Sequence, residues 1–260
     1  MTDRKSEAEI PALIEDPTEL AKREAANALD QFDWAMAEVG SWIATDKPSL
    51  KISMLLSLHR KAMDGIDPYA GNFRPAAVAI KGSGHKPISG DDVPRYIEEM
   101  LEYLSENWAD KTAIHLCSYA MWRLNWVHPF ADGNGRTSRM LSYMVLCGSL
   151  RQVLPGTRTI PEQISEDKGP YYAALEAADK CYKRGQVDVS RMEKLLEDYL
   201  AVQLVEIHDQ ANGRANTTAT DLPVETATKQ NGFVTSIENH PVLISAGVAI
   251  VLAIIGWVLV

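Results

Sequence analysis

The sequence predicts a mainly helical fold with one small β-hairpin, followed by a polar tether and a transmembrane helix. Three observations predict it. Apolar residues recur at helical spacing through most of the chain up to His208. One piece, Ala76–Ile80 (AAVAI), then KGSGHKP, then Ile88, instead has the look of a short hairpin about a glycine-rich turn. The last nineteen residues, Val242–Val260, carry no charge and no Asn, Gln or His.

Taken in order, Leu20–Val39 follows an acidic start at Thr18-Glu19 and places Leu29, Phe32, Met36 and Val39 on one face. Helical spacing continues through Ile52–Met63, Asp92–Trp108, Lys111–Trp126, Arg136–Leu150, Tyr171–Arg184 and Ser190–His208. From Asp209 to His240 the chain is rich in Asn, Thr, Ala and Gly and lacks periodicity, so it reads as a flexible tether with a reach of roughly 30 Å. The apolar run that follows would reach roughly 28 Å as a helix, close to the thickness of a bilayer's hydrocarbon core. Residues 1–10 contain no apolar stretch of a signal peptide. The expectation is therefore a single-pass, C-terminal membrane anchor with the folded bulk of the chain facing the cytoplasm.

Charge and cysteine usage narrow the class further. The formal net charge is −9, acids outnumber bases about two to one in the first fifty residues, and no Lys/Arg cluster occurs, so nucleic acid is not an expected partner. The three cysteines, Cys117, Cys147 and Cys181, are odd in number and widely spaced. They point to a reducing compartment rather than to a disulfide framework or a zinc site. His59, His85, His115 and His208 show no metal-ligand spacing and read as surface or packing residues.

One segment between two predicted helices concentrates chemistry: His128-Pro129-Phe130-Ala131-Asp132-Gly133-Asn134-Gly135-Arg136-Thr137-Ser138-Arg139. Gly133, Asn134 and Gly135 permit a tight turn at a helix start, where unpaired backbone N–H groups bind anions and phosphates above all. Arg136 and Arg139, three apart, can reach the same polyanion. Asp132 can hold a magnesium ion, which prefers one or two carboxylates plus phosphate oxygens; a helix cap is its plainer role. Pro129 biases His128 to an extended conformation, and Phe130 is expected to pack into the core. A neutral imidazole beside a phosphate nest suits proton abstraction from a hydroxyl.

HPFADGNGRTSR resembles the Fic (Fido) motif HPFxxGNGRxxR at all eight fixed positions. Leu58-His59-Arg60 and Tyr69-Ala70-Gly71-Asn72-Phe73-Arg74 are similar to the family's lead-in to its flap, and Tyr171-Tyr172-x-x-Leu175 to its helix after the motif. The resemblance covers about residues 50–195. It divides the chain into an N-terminal helical extension (1–49), a Fic-type helical bundle with a hairpin flap (50–195), the end of the last helix (196–208), the linker (209–240) and the transmembrane helix (241–260).

The resemblance implies a protein adenylyltransferase that moves AMP from ATP to a Ser, Thr or Tyr hydroxyl of a target protein. His128 would be the general base and Asp132 the magnesium ligand. Gly133, Asn134 and Gly135 would form the anion hole, and Arg136 and Arg139 would hold the outer phosphates. Tyr172 falls at an adenine-pocket tyrosine, although a core role suits it equally. Asp179 stands where related sequences often have Asn, which leaves purine selectivity open. The flap at Val78–Ile88, with Val78 and Ile80, would dock an extended target segment by strand pairing.

Family members often carry an inhibitory [ST]-x-x-x-E-[GN] helix whose Glu pairs with the second motif arginine. The nearest candidate is Glu15, but Pro11 and Asp16 depart from that pattern, and surface acidity explains Glu15 as well. A homodimer or a separate small inhibitor protein are further partners the resemblance allows. Its alternatives are de-AMPylation, transfer of UMP or phosphocholine, and a non-catalytic membrane-anchored interaction module.

Overall fold

The computed structural model describes residues 4, 6–7, 12–156 and 158–217, with side chains as far as 208. The order is β1 (Ser6–Glu7), α1 (Pro17–Thr45), α2 (Ile52–Met63), β2 (Ala79–Ile80), α3 (Val93–Glu106), α4 (Ala113–Val127), α5 (Asn134–Ser149), α6 (Ile160–Glu166), α7 (Gly169–Tyr182) and α8 (Ser190–Thr217). Chain contacts divide it into two compact units, residues 1–154 with 160–199, and 155–159 with the chain from Leu200 onward.

The first unit is built around α4 and α5. Leu116–Leu124 of α4 and Met140–Gly148 of α5 are continuously buried, as expected for helices enclosed on most sides. Helix α5 also packs on α1, α2 and α6. Gly148 makes room for Trp42 and Trp108, which meet edge to face at 6.2 Å; a Cβ at Gly148 would stand 2.9 Å from the Trp42 ring.

Helix α1 starts at a cap other than the one expected. The Asp16 carboxylate accepts from the N–H groups of Thr18 and Glu19, both at 2.8 Å. Its buried face is Asn27, Gln31, Ala35, Val39 and Trp42, and Leu29, expected on the inner face, is 70% exposed. Two polar residues lie inward because α2 offers carbonyls there. Asn27 Nδ2 donates to Ala62 O (3.3 Å) and Asp64 O (2.8 Å), and Gln31 Nε2 donates to Leu58 O (3.0 Å). Asn27 thus satisfies acceptors that the end of α2 leaves open.

The predicted hairpin is corrected. Only Ala79–Ile80 is strand, and its antiparallel partner is not the chain near Ile88 but Ser6–Glu7, with Ser6 opposite Ile80 and Glu7 opposite Ala79. The base of the flap is closed by a side chain instead of a ladder: the buried Arg74 guanidinium donates to Ala76 O and Ile88 O.

In the second unit, Gln203 Nε2 donates to Pro155 O (2.8 Å) and Arg158 pairs with Glu206 (3.2 Å). Helix α8 continues to Thr217, past the Asp209 boundary expected for the tether. Among the described residues no helix is long and apolar enough to cross a membrane. The remainder of the predicted linker and the predicted span at 241–260 lie outside the described residues.

Asn27→Leu removes the donor while keeping the volume, leaving the end of α2 unsatisfied. Urea unfolding should show a loss of about 1–3 kcal/mol; a loss under about 0.5 kcal/mol would mean that water replaces the bond freely.

Candidate functional site

Helix α4 ends at His128, whose backbone takes the left-handed conformation (φ 53°, ψ 60°) with its N–H donating to Leu124 O at 2.9 Å. The extended conformation expected ahead of Pro129 does not occur. The helix stop requires a left-handed residue, and Pro129 then ends the helix outright. Such a conformation is unusual for a residue with a side chain and needs outside support. Arg74 supplies it: its Nε donates to His128 O at 2.8 Å, and its own N–H donates to Pro129 O at 2.9 Å. The residue that closes the flap therefore also holds the turn that presents His128.

The loop after His128 is fixed from three sides. Phe130 is fully buried, stacked against His59 at 3.7 Å with the rings parallel to within 1°, and it meets Phe73 at 5.9 Å. The Asn134 side chain accepts from Phe130 N–H (2.9 Å) and donates to Phe130 O (2.8 Å), so this side chain locks the loop. His59 takes a proton-bearing bond at each nitrogen. Gly71 N–H donates to Nδ1 (3.0 Å), which must therefore be unprotonated, and Nε2–H donates to Asp132 O (3.0 Å). Gly133 has φ 74°, and a Cβ there would come within 2.6 Å of Met63 Sδ and 3.1 Å of His59 Nε2. No side chain fits.

Helix α5 begins immediately after Gly133. The N–H groups of Asn134, Gly135 and Arg136 lie in its first turn and have no intrahelical acceptor, which makes this end electropositive. They face a cavity of about 560 Å³, lined also by His128, Asp132, Arg139, Tyr172 and Asp179. All the motif residues expected to act together are thus in one cavity.

Arg136 is held by Glu24 of α1 at 3.2 Å and approaches Asp132 at 3.8 Å. Asp132 presents a half-exposed carboxylate beside the helix start. Among the described residues no group of three or more His, Cys, Asp or Glu could hold a metal ion. One carboxylate facing a phosphate-type nest fits magnesium that arrives with a polyphosphate and keeps most of its oxygen ligands from it.

The His128 ring is almost fully enclosed. Burial pushes its pKa down to about 3, aided by the charges of His85 and Arg74 and opposed by the Asn125 backbone carbonyl. His59 is likewise lowered to about 4, chiefly by burial, although the Asp132 carbonyl and carboxylate pull upward. Both rings are neutral at pH 7.

The other expected residues divide. Tyr172 is buried on the cavity wall, and its hydroxyl accepts from Arg4 N–H at 3.2 Å. Asp179 accepts from the Trp122 indole (2.9 Å) and has His85 Nδ1 3.6 Å from its other oxygen. Ile80 lines the cavity; Val78 precedes the strand and does not. Glu15 is exposed ahead of the Asp16 cap, and a carboxylate the fold brings to the first motif arginine, Arg136, is Glu24. His59, Arg74, Glu24, His85 and Ser6 were not expected at the site. His59 and Arg74 belonged to the quoted lead-in and carried that signal; Glu24 and Ser6 carried none.

Residues 49–146 match the Fic/DOC family model. Protein adenylyltransferase Fic of Drosophila persimilis is 31% identical over 156 residues, 59% of this chain and 29% of that relative. The chain thus spans under a third of the length of the curated relatives it matches. A Fic family protein from Desulfovibrio desulfuricans G20 superposes with a TM-score of 0.54 at 20% identity, covering 81% of this chain and 57% of that one. Fic-1 (residues 134–508) from C. elegans gives 0.53 at 20% identity, covering 74% and 55%. These two similarities establish a shared fold.

Because the folded chain keeps both histidines neutral while the unfolded chain protonates them near pH 6.5, the unfolded state binds more protons below that pH. Stability is full above about pH 6.5 and is lost as pH falls toward 4, by up to about 1.4 kcal/mol per pH unit for each histidine. His59→Gln should reduce the slope of unfolding free energy between about pH 6 and 5 by about one proton. An unchanged slope would show that His59 titrates normally in the fold.

Proposed function

We propose that this protein is an adenylyltransferase that moves AMP from ATP to a hydroxyl of a protein. The observation that carries the reading is the placement of the neutral His128 Nε2 in the same cavity as the N-terminus of α5, Arg136 and Arg139. The Fic/DOC family match and the relatives named protein adenylyltransferase support it.

In this reading the triphosphate lies along the start of α5, its oxygens accepting from the N–H groups of the first turn. Arg136 exchanges its bond to Glu24 for phosphate, a modest loss because that pair is half-exposed. Arg139 binds beside it. Magnesium would be held by Asp132 and supplies charge neutralisation when bound.

His128 takes the proton of the acceptor hydroxyl at Nε2, which leaves the proton of the neutral ring on Nδ1, a buried nitrogen that makes no hydrogen bond of its own. The oxygen then attacks the α phosphorus while pyrophosphate leaves in line. Positioning and charge stabilisation carry most of such a barrier. The acceptor is presented by strand pairing along Ala79–Ile80 of the flap. The apolar run Val242–Val260 supports a further element of the proposal, that transfer occurs at a membrane surface.

The test is label transfer from α-labelled and γ-labelled ATP. The α label alone should enter protein, and His128→Ala should lose at least about a hundredfold in rate while still binding ATP. Incorporation of the γ label, or α-label transfer unaffected by His128→Ala, contradicts the assignment.

A further inference from the structure

The edge of the flap is already occupied by this chain's own N-terminal segment. Ser6–Glu7 pairs antiparallel with Ala79–Ile80, the geometry an extended acceptor segment takes on a sheet edge. Arg4 and Ser6, two residues apart, fall on the same face of an extended chain, and both line the cavity. Ser6 Oγ stands 2.9 Å from His128 Nε2 and 3.5 Å from Asn134 Nδ2.

Two anchors set this register. The backbone ladder places Ser6 opposite Ile80. Arg4 donates its N–H to the Tyr172 hydroxyl, lays its guanidinium 4.3 Å over the Tyr172 ring and pairs with Glu176. The other serine hydroxyl on the cavity wall, Ser83, is engaged in its own turn, accepting from His85 N–H at 3.2 Å. Among the described residues, Ser6 is the hydroxyl in contact with His128 Nε2.

We propose that Ser6 is a modification site of this protein, the acceptor of AMP in an intramolecular transfer for which the N-terminal strand is the substrate. The proposal rests on the adenylyltransferase reading. In the step, the Ser6 Oγ proton passes to His128 Nε2 and an Oγ lone pair forms the bond to the α phosphorus of ATP. The bond from that phosphorus to the bridging oxygen breaks, and pyrophosphate departs with its electron pair. The products are a phosphodiester between Ser6 and AMP, pyrophosphate, and a protonated His128 that returns its proton to solvent. No electron is gained or lost.

Tethering makes this acceptor's effective concentration far higher than that of a protein in solution. Ser6 is thus modified at a rate independent of protein concentration, before targets compete for the same edge.

The test incubates the full chain with magnesium and α-labelled ATP, maps the adduct by peptide mass spectrometry, and in parallel supplies a cell lysate as a source of other acceptors. AMP is expected on the peptide containing Ser6, with the same first-order time course across about a tenfold dilution. Ser6→Ala should lose that adduct and Ser6→Thr should keep it; Arg4→Ala, which frees the register, should slow it several-fold. His128-dependent labelling of lysate proteins or of other residues without AMP on Ser6 overturns the proposal and leaves the adenylyltransferase reading standing, as does a Ser6 rate proportional to protein concentration. Absence of α-label transfer to every acceptor overturns both.

Discussion

The site depends on what the Arg74 guanidinium does inside the protein. Its donors go to the carbonyls of His128, Ala76 and Ile88, and thereby join the end of α4 to both ends of the flap. A left-handed His128 is costly on its own, and an open flap has no ladder to close it. One buried cation offsets both. Its planar fork suits the task because several fixed donors meet several fixed carbonyls; a lysine would present one point charge. His128 and the flap that carries Ala79–Ile80 are therefore held in register by the same group.

Around that clamp, polar side chains are spent on geometry. Asn134 bonds both backbone groups of Phe130, and His59 stacks on its ring while holding Asp132 through the backbone. The Asp132 carboxylate and the first-turn N–H groups of α5 stay directed at the cavity because the loop beneath cannot relax. The arrangement costs stability below neutral pH, since two enclosed imidazoles resist protonation. The same enclosure keeps His128 unprotonated, as the proposed proton transfer requires.

Much of this was legible in the sequence where local periodicity and local chemistry agree. The bounds of Ile52–Met63 follow from spacing alone, and His128 to Arg139 announced a tight loop that turns into a helix start. Elsewhere the structure answers to partners distant in sequence. Leu29 faces out because Asn27 and Gln31 turn inward to donate to carbonyls of α2, Asn27 to those at its end, and a hydrophobic pattern does not register that demand. His128 avoids the extended form because a helix end and Arg74 outweigh the preference of a residue before proline. Ala79–Ile80 finds its partner at Ser6–Glu7, a two-residue strand with no pattern of its own. His59 looked like packing and is packing, but its two nitrogens also hold the loop that carries the motif.

The central claim is that the fold holds His128 neutral with its Nε2 lone pair turned into the cavity. Nitrogen-15 NMR of the histidine rings, followed from about pH 8 to 5, reads both properties in one experiment. The account predicts that His128 keeps its proton on Nδ1 and stays neutral through that range. A ring that titrates near the ordinary value of about 6.5, or that carries its proton on Nε2, would contradict it.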